Sequence, residues 1–361
     1  MSHATALTPL GYSPRWEALF AQYEVTDTYP ARVVRADRGS VLIASHDGVR
    51  RARASTALVK TVRGPIDLPV VGDWVVVHAP PGIDVPLIDA VLARTSAITR
   101  GDPGEASVVQ ILAANVDTAF LVHPIDAQPN LRRIERELSL VWDSGAVPAV
   151  VLTKADASTA PEAARSAVEA VAIGCDVLVT SAMTGLGVDL LPRYVANGKT
   201  AVLLGPSGAG KSTLINALLG EARQETREVR EGDRRGRHTT VARELVLLPG
   251  GGILIDTPGL RSLALTGSEE GISATFPEIE AAARSCRFRD CTHDGEPGCA
   301  VRAAVESGDV PASRLDSYHK LSREAQVAAM KTDPQLRADE VRKWKDISKA
   351  AKDYFKHTGK A

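Results

Sequence analysis

GPSGAGKS, residues 205–212, lies between the apolar run TAVLL and the run STLINALL. The spacing Gly205-x4-Gly210-Lys211-Ser212 is that of a phosphate-binding loop set between a buried strand and a helix. Each residue type there has a physical reason. Gly205, Gly208 and Gly210, with Pro206, Ser207 and Ala209 between them, let backbone N–H groups curl around phosphates. The helix start at Ser212 and Thr213 adds a favourable dipole. Lys211 neutralises the β- and γ-phosphates, and the Ser212 hydroxyl is placed to ligate Mg2+. The stretch predicts an α/β fold with a nucleotide at the end of a parallel strand.

DTPG, Asp256 to Gly259, ends the apolar run GGILID. It places Asp256 to hold the Mg2+ shell and the Gly259 N–H to meet the γ-phosphate. TKAD, Thr153 to Asp156, ends the run VPAVVLT. In a GTPase the Asp of such a motif accepts two hydrogen bonds from guanine, and the Lys stem lies over the base. Adenine presents the wrong donors and acceptors, so a buried Asp156 would reject it by leaving a charge unpaired. SAMTG follows the next strand candidate, DVLVT, and offers the backbone of Ser181 and Ala182 to the guanine carbonyl. The usual first residue of the TKAD motif is Asn. Thr153 departs from that and keeps one hydroxyl for the neighbouring loop. The order matters most. TKAD and SAMTG precede the phosphate loop, whereas in an unpermuted G domain they follow DTPG. The chain reads as a G domain cut and rejoined elsewhere.

The flanks are of a different kind. With 361 residues, there is room for two or three domains, each with its own core. Charged residues at 24% and aromatics at 4% indicate a soluble globular class. Pro14 to Tyr23 is amphipathic at helical spacing, with Trp16, Leu19 and Phe20 on one side. Residues 31–97 carry five short strand candidates between turn residues: ARVVRA, SVLIAS, ALVKTV, DWVVVHA and PLIDAVL. They suit a small barrel, of the OB or the SH3-like kind. From Asp117 strands and helices alternate, as in a mostly parallel sheet covered on both faces. The expected division is an extension at 1–27, an OB-like barrel at 28–97, a permuted α/β GTPase domain at 98–268, and a zinc-binding, mainly helical domain at 269–361.

The net charge of −1 hides two basic regions. Ala31 to Arg63 holds eight Arg/Lys against two Asp, and Arg337 to Ala361 holds eight against four acids. Both suggest an anionic partner. Glu221 to Arg243 mixes seven Arg with five acids, a composition expected to be disordered without a partner. No stretch approaches the ~18 apolar residues of a membrane span. The first twenty residues lack a basic segment followed by an apolar core, so no secretory signal is expected. The expected location is cytoplasmic. Cys286, Cys291, His293 and Cys299 supply three thiolates and one imidazole, a set for one structural, tetrahedral Zn2+ with no open position. Cys175 stands alone as a core residue.

TKAD, SAMTG, GPSGAGKST, RGRHTT and DTPG, in that order, resemble the circularly permuted GTPases. VVGDWVVV in the barrel, QILAANVDTAFLV at the start of the G domain, and the Cys-x4-Cys-x-His-x5-Cys cluster narrow the resemblance to the RsgA (YjeQ) family. It covers nearly the whole chain. The resemblance implies hydrolysis of GTP to GDP, contact with the 30S ribosomal subunit and its 16S rRNA, a role in late small-subunit maturation, and a monomer. It also points to His238, in the switch segment RGRHTT, as the residue that positions the attacking water. In many GTPases the residue after DxxG is a Gln that orients this water. Here it is Leu260, so intrinsic hydrolysis is expected to be slow. The segment reads HTTV where the family has three threonines, leaving Thr240, with Thr239 as the alternative, to approach Mg2+. Two rivals remain at this level. One is a phosphate-loop ATPase with a metal knot. The other is a non-catalytic, GTP-dependent RNA-binding assembly factor.

Overall fold

The structure is a computed structural model. It describes residues 3–23, 25–37, 39–61, 67–80, 82, 84–101, 109–220, 243–256 and 268–333, with 335, 336, 338, 342 and 345.

Two short helices, α1 (His3–Leu7) and α2 (Pro14–Ala21), precede a barrel built from β1 (Thr28–Asp37), β2 (Ser40–Ser45), β3 (Gly48–Ala54), helix α3 (Thr56–Thr61), β4 (Trp74–His78) and β5 (Leu87–Val91). The ladder closes in the order β1-β2-β3-β5-β4-β1, with β3 and β5 parallel and the other pairs antiparallel. A five-stranded closed barrel with its helix between β3 and β4 is an OB-fold, which decides against the SH3-like alternative.

Alternation explains both faces of β4. Val75 and Val77 point into the barrel with Val33, Ile43 and Ile88. Trp74 and Val76 point outward and are covered by Leu7, Tyr12, Trp16 and Phe20. The amphipathic N-terminal stretch thus packs on the barrel, with Tyr12 and Trp16 rings 5.0 and 5.9 Å from Trp74.

One sequence expectation fails here. Of ALVKTV, residues 57–61 lie in helix α3, not in a strand, and Val62 lies outside the described residues; Leu58 enters the barrel core from α3. The third strand is GVRRARA, in which Ala52 faces inward while Arg51 and Arg53 face out.

Next comes a two-stranded ribbon, β6 (Ala97–Gly101) with β7 (Val109–Ala114). The second half of the large sheet follows: β8 (Thr118–Pro124), α4 (Leu131–Asp143), β9 (Val147–Thr153), α5 (Pro161–Glu169), β10 (Asp176–Val179), β11 (Thr200–Leu204), α6 (Lys211–Leu219), β12 (Arg243–Leu247) and β13 (Ile253–Asp256). Its order is β10-β9-β8-β11-β13-β12, all parallel except β12. If β11 is counted as the first strand, the order reads 6-5-4-1-3-2. That is one continuous doubly wound sheet whose chain has been opened between its third and fourth strands. Ala119, Leu121, Val150 and Val202 face α4 and α5. Phe120, Val122, Val151 and Leu203 face α6. β12 also pairs with β1 at Arg35↔Glu244 and Ala36↔Arg243, so the barrel extends the sheet.

The C-terminal part is helical: α7 (Glu269–Thr275), α8 (Pro277–Ala283), α9 (Ala300–Ser307) and α10 (Ala312–Thr332) around Ile272, Phe276, Ile279, Val301 and Leu321. The expected fold class, an OB-like barrel, a permuted α/β domain and a helical part with the Cys/His cluster, is what the architecture contains.

Two buried arginines tie these parts together. Arg32, 2% exposed, donates to Gly72 O, Leu10 O and Thr200 Oγ1, and lies over the Trp74 ring. Burial lowers its pKa to about 10, against the pull of Asp117 and Asp73. Arg314, also 2% exposed, donates to Glu135 Oε1 (2.8 Å) on α4, to Glu278 Oε1 (2.6 Å) and to Thr275 O (2.9 Å). Its guanidinium sits 4.3 Å from the Phe276 ring centroid. Beside it α7 crosses α4 so closely that a Cβ on Gly271 would lie 2.4 Å from Ser139 O. Removing one partner of a buried ion pair strands the other charge, at a cost of about 3–5 kcal/mol. Arg314→Ala is therefore expected to destabilise the junction of α4 with the C-terminal helices by about that amount. Chemical denaturation measures the loss, and limited proteolysis should find the C-terminal helices cleaved first.

Candidate nucleotide site and metal centre

The fully buried strand β11 leads into Gly205, whose φ of +144° is open only to glycine. A Cβ there would lie 2.2 Å from Val122 O on β8. The chain then turns through Gly208 and Gly210, both left-handed, and α6 starts at Lys211. Pro206 is half-buried, Ser207 and Gly208 are exposed, and Ala209 is buried. Ser212 and Thr213 are half-buried on the first turn of α6, next to the loop mouth. The Lys211 ammonium folds over that mouth and donates to Gly205 O (2.9 Å) and Pro206 O (2.7 Å). Burial lowers its pKa, and the charge of Asp256 opposes the shift. Asp256 ends β13, which pairs with β11 through Val202↔Ile255. DTPG and the phosphate loop thus begin on neighbouring strands.

TKAD arrives from the other side. Thr153, 4% exposed at the end of β9, donates through Oγ1 to Ala209 O at 2.6 Å. The expected hydroxyl bridge from the Thr that stands in place of Asn is therefore present, and it ties TKAD to the phosphate loop. Lys154 adopts φ +60° and forms an ion pair with Asp126 at 2.7 Å. Asp156 is exposed rather than buried, and its Oδ1 accepts the Ser181 hydroxyl at 2.5 Å. Ser181 itself is fully buried and Ala182 half-buried. The sequence assigned Ser181 a backbone role. Its side chain also holds the carboxylate in place, leaving Asp156 oriented and open for a base.

TKAD, the phosphate loop and Asp256, the one described residue of DTPG, thus lie at the C-terminal edge of one sheet, where ligands of open α/β sheets bind. His238, Thr239, Thr240, Gly259 and Leu260 lie outside the described residues. Sequence reasoning missed Asp126, His123, Glu137 and Arg133. Asp126 follows the strand DTAFLVH at the same sheet edge, a position that could have flagged it. Glu137 bonds His123 Nε2 and Arg133 Nε, both at 2.8 Å, and is 4% exposed.

The four cluster residues sit on the loop between α8 and α9, and their ligand atoms all lie within 4.8 Å of one another. His293 Nδ1 is 3.6 Å from Cys286 Sγ and 3.5 Å from Cys299 Sγ. A tetrahedral ion with metal–sulfur bonds of about 2.3 Å and metal–nitrogen bonds of about 2.05 Å would set sulfur and nitrogen roughly 3.6 Å apart. The donor set and its spacing fit. The surroundings fit as well. Burial would raise the Cys286 thiol pKa, but N–H groups of Val301 and Ala300 at the start of α9 hold it below the usual value. Cys299 caps that helix. Glu296 accepts from Thr292 N, Thr292 Oγ1 and Asp294 N, fixing the strained loop in which His293 has φ +63°. These bonds push the Glu296 carboxyl down to about 2.

A family model described as RsgA GTPase matches residues 91–266. The Small ribosomal subunit biogenesis GTPase RsgA of Streptomyces coelicolor is 48% identical over 345 residues, 95% of this chain and 92% of that protein. The protein of the same name from Opitutus terrae is 43% identical over 94% of this chain and 95% of its own length. Among solved structures, YjeQ from Thermotoga maritima superposes with a TM-score of 0.62 at 25% identity, covering 82% of this chain and 98% of that one. YloQ, described as a circularly permuted GTPase, gives 0.58 at 27% identity, covering 83% and 96%. Identity at this level over nearly the full length leaves one assignment: the chain belongs to the RsgA family and is a GTP-hydrolysing enzyme of ribosome biogenesis.

Proposed function

We propose that the protein binds the small (30S) ribosomal subunit through its 16S rRNA, hydrolyses GTP to GDP and phosphate there, and leaves late in maturation. The observation that supports the nucleotide part of this reading is the 2.6 Å bond from Thr153 to Ala209, which ties the segment after β9 to the loop after β11. In this reading Asp156 takes the guanine edge, with Ser181 and Ala182 beside its carbonyl and the stem of Lys154 over its face. Residues 205–213 take the phosphates, with the Gly259 N–H at the γ-phosphate. Ser212, Asp256 and Thr240 hold the Mg2+ shell. His238 positions the water in place of the missing Gln. The division into 1–27, 28–97, 98–268 and 269–361 separates the roles. The barrel and the C-terminal part grip RNA, and the middle reads nucleotide.

Several features support the finer points. Arg50, Arg51 and Arg53 are exposed on β3, a strand whose face binds oligonucleotides in OB-folds. Three thiolates and one imidazole suit zinc, and four protein ligands leave no catalytic position. The ion would be structural. A monomer working in the cytoplasm, where ribosomal subunits mature, is the consistent state. The described residues contain no helix long and apolar enough to cross a membrane.

The deciding experiment is GTP turnover with and without purified 30S subunits. Turnover should rise on adding subunits, and His238→Ala should lose the rise while keeping nucleotide affinity. Absence of stimulated turnover would favour the assembly factor that uses GTP only as a ligand. GTP binding surviving competition by excess ATP would set aside the ATPase.

Two further outcomes are expected. Gly205→Ala forces a Cβ against Val122 O, and local strain of about 1–3 kcal/mol should weaken GTP binding roughly 10- to 100-fold, as titration calorimetry would measure. Metal analysis should find one zinc per chain. Cys299→Ser should lose it, with loss of helical signal on melting of the C-terminal part.

A further inference from the structure

The end of β8 is wedged between both halves of the pocket. On one side β9 pairs with it, Pro124 opposite Thr153, and the Ile125 N–H donates to Thr153 O at 2.9 Å. On the other side Leu121 pairs with Leu204, and Gly205 lies against Val122 O. Thr153 Oγ1, while donating to Ala209 O, also stands 3.3 Å from His123 O. Whatever fixes Val122 and His123 therefore fixes the TKAD motif and the phosphate loop relative to each other.

Besides the two backbone ladders, a cluster of polar side chains under the sheet holds the end of β8. The His123 side chain turns toward α4, where Nε2 meets Glu137 Oε2 at 2.8 Å. Glu137 Oε1 accepts Arg133 Nε at 2.8 Å, one turn earlier on the same helix. His123 and Glu137 are 3% and 4% exposed. Burial alone would raise the Glu137 pKa, but His123 and Arg133 outweigh it and hold the carboxyl below its usual value. Such a group is a poor device for stability, because apolar residues of similar volume commonly do as well or better. It does suit orientation, since a bidentate carboxylate between two donors permits one geometry. The cluster is also within electrostatic reach of Lys211, where the charge of Glu137 raises the ammonium pKa and that of Arg133 lowers it. An uncompensated carboxylate there would repel phosphates. Arg133 cancels it.

We propose that His123, Glu137 and Arg133 are positioning residues of the nucleotide pocket: they lock the end of β8 and so hold the guanine-reading and phosphate-binding loops in register. The inference rests on reading residues 153–156 and 205–213 as that pocket. It concerns binding rather than the chemical step, so its signature is a change in KM and nucleotide affinity at constant kcat.

The test uses the full chain with GTP and GDP. His123→Ala and Glu137→Gln are expected to raise KM for GTP and Kd for GDP about tenfold while kcat at saturation stays within about twofold. His123→Gln, whose amide nitrogen can occupy the place of Nε2, is expected to restore most of the affinity. Variants with the parent's KM and Kd would overturn the proposal, as would a His123→Gln protein as impaired as His123→Ala. If His123→Ala does not fold, the isosteric Glu137→Gln decides the matter alone. A parent chain that neither binds nor turns over GTP would overturn the pocket assignment itself, whereas an active parent with unaffected variants overturns only the positioning role.

Discussion

The parallel ladder between β8 and β11, running from Thr118–Ala201 to Leu121–Leu204, is the contact on which the rest of the structure depends. It joins two sheet halves that the chain makes in reversed order. The half with TKAD and SAMTG comes first, and the half with the phosphate loop and DTPG second. Only this seam makes them one sheet with two covered faces. The pocket straddles it, with Gly205 on one side and Thr153 on the other. Its tightest point is Gly205 against Val122 O, where nothing larger than a hydrogen fits. A local backbone constraint at one glycine thus sets how closely the loop after β11 approaches β8.

The same economy joins the flanking parts. Buried guanidinium groups act as struts because one planar fork can satisfy several carbonyls and carboxylates at once. Arg32 gathers the N-terminal segment, the barrel and Thr200 at the foot of β11. Arg314 gathers α4, α7, α8 and α10. Glu135 on α4 serves Arg314, and Arg136 reaches Glu324 on α10 through two bonds of 2.7 and 2.8 Å. Glu137, the next residue, turns instead toward His123. Three consecutive side chains of one helix therefore face the C-terminal helices on one flank and the pocket on the other.

How much of this was legible in the sequence varies with the range of the interaction. GPSGAGKS, DTPG, TKAD and the cysteine cluster are short segments whose chemistry is carried by neighbours in the chain. Their placement on strands, helix starts and one loop followed from residue order. The barrel was legible as a class, but its third strand was not. GVRRARA shows a single small inward residue between outward arginines, which hides its alternation. ALVKTV has the apolar spacing of a strand over so short a run that it cannot be told from a helical turn. Arg32 and Arg314 read as two among many surface charges. Nothing local marks them as buried, because their partners lie up to 179 residues away. Glu137 and His123 lie only 14 residues apart, but their meeting depends on α4 packing back onto β8, and an i,i+4 pair of Arg133 with Glu137 reads as an ordinary exposed helix pair. Asp156 corrects a physical expectation. Its carboxylate is exposed and accepts the Ser181 hydroxyl, where a buried carboxylate was expected.

The pairing of β1 with β12 has a consequence of another kind. A strand at the rim of a sheet offers unpaired backbone groups to any passing chain, and proteins commonly blunt such rims. Here the rim strand of the nucleotide-binding sheet is capped at Arg35 and Ala36 by a strand of the barrel. The barrel is therefore a guard of the sheet as well as a module of its own. Cutting the chain after the barrel would not yield a minimal catalytic unit. It would yield a sheet whose β12 margin is left open, the kind of rim on which other chains pair.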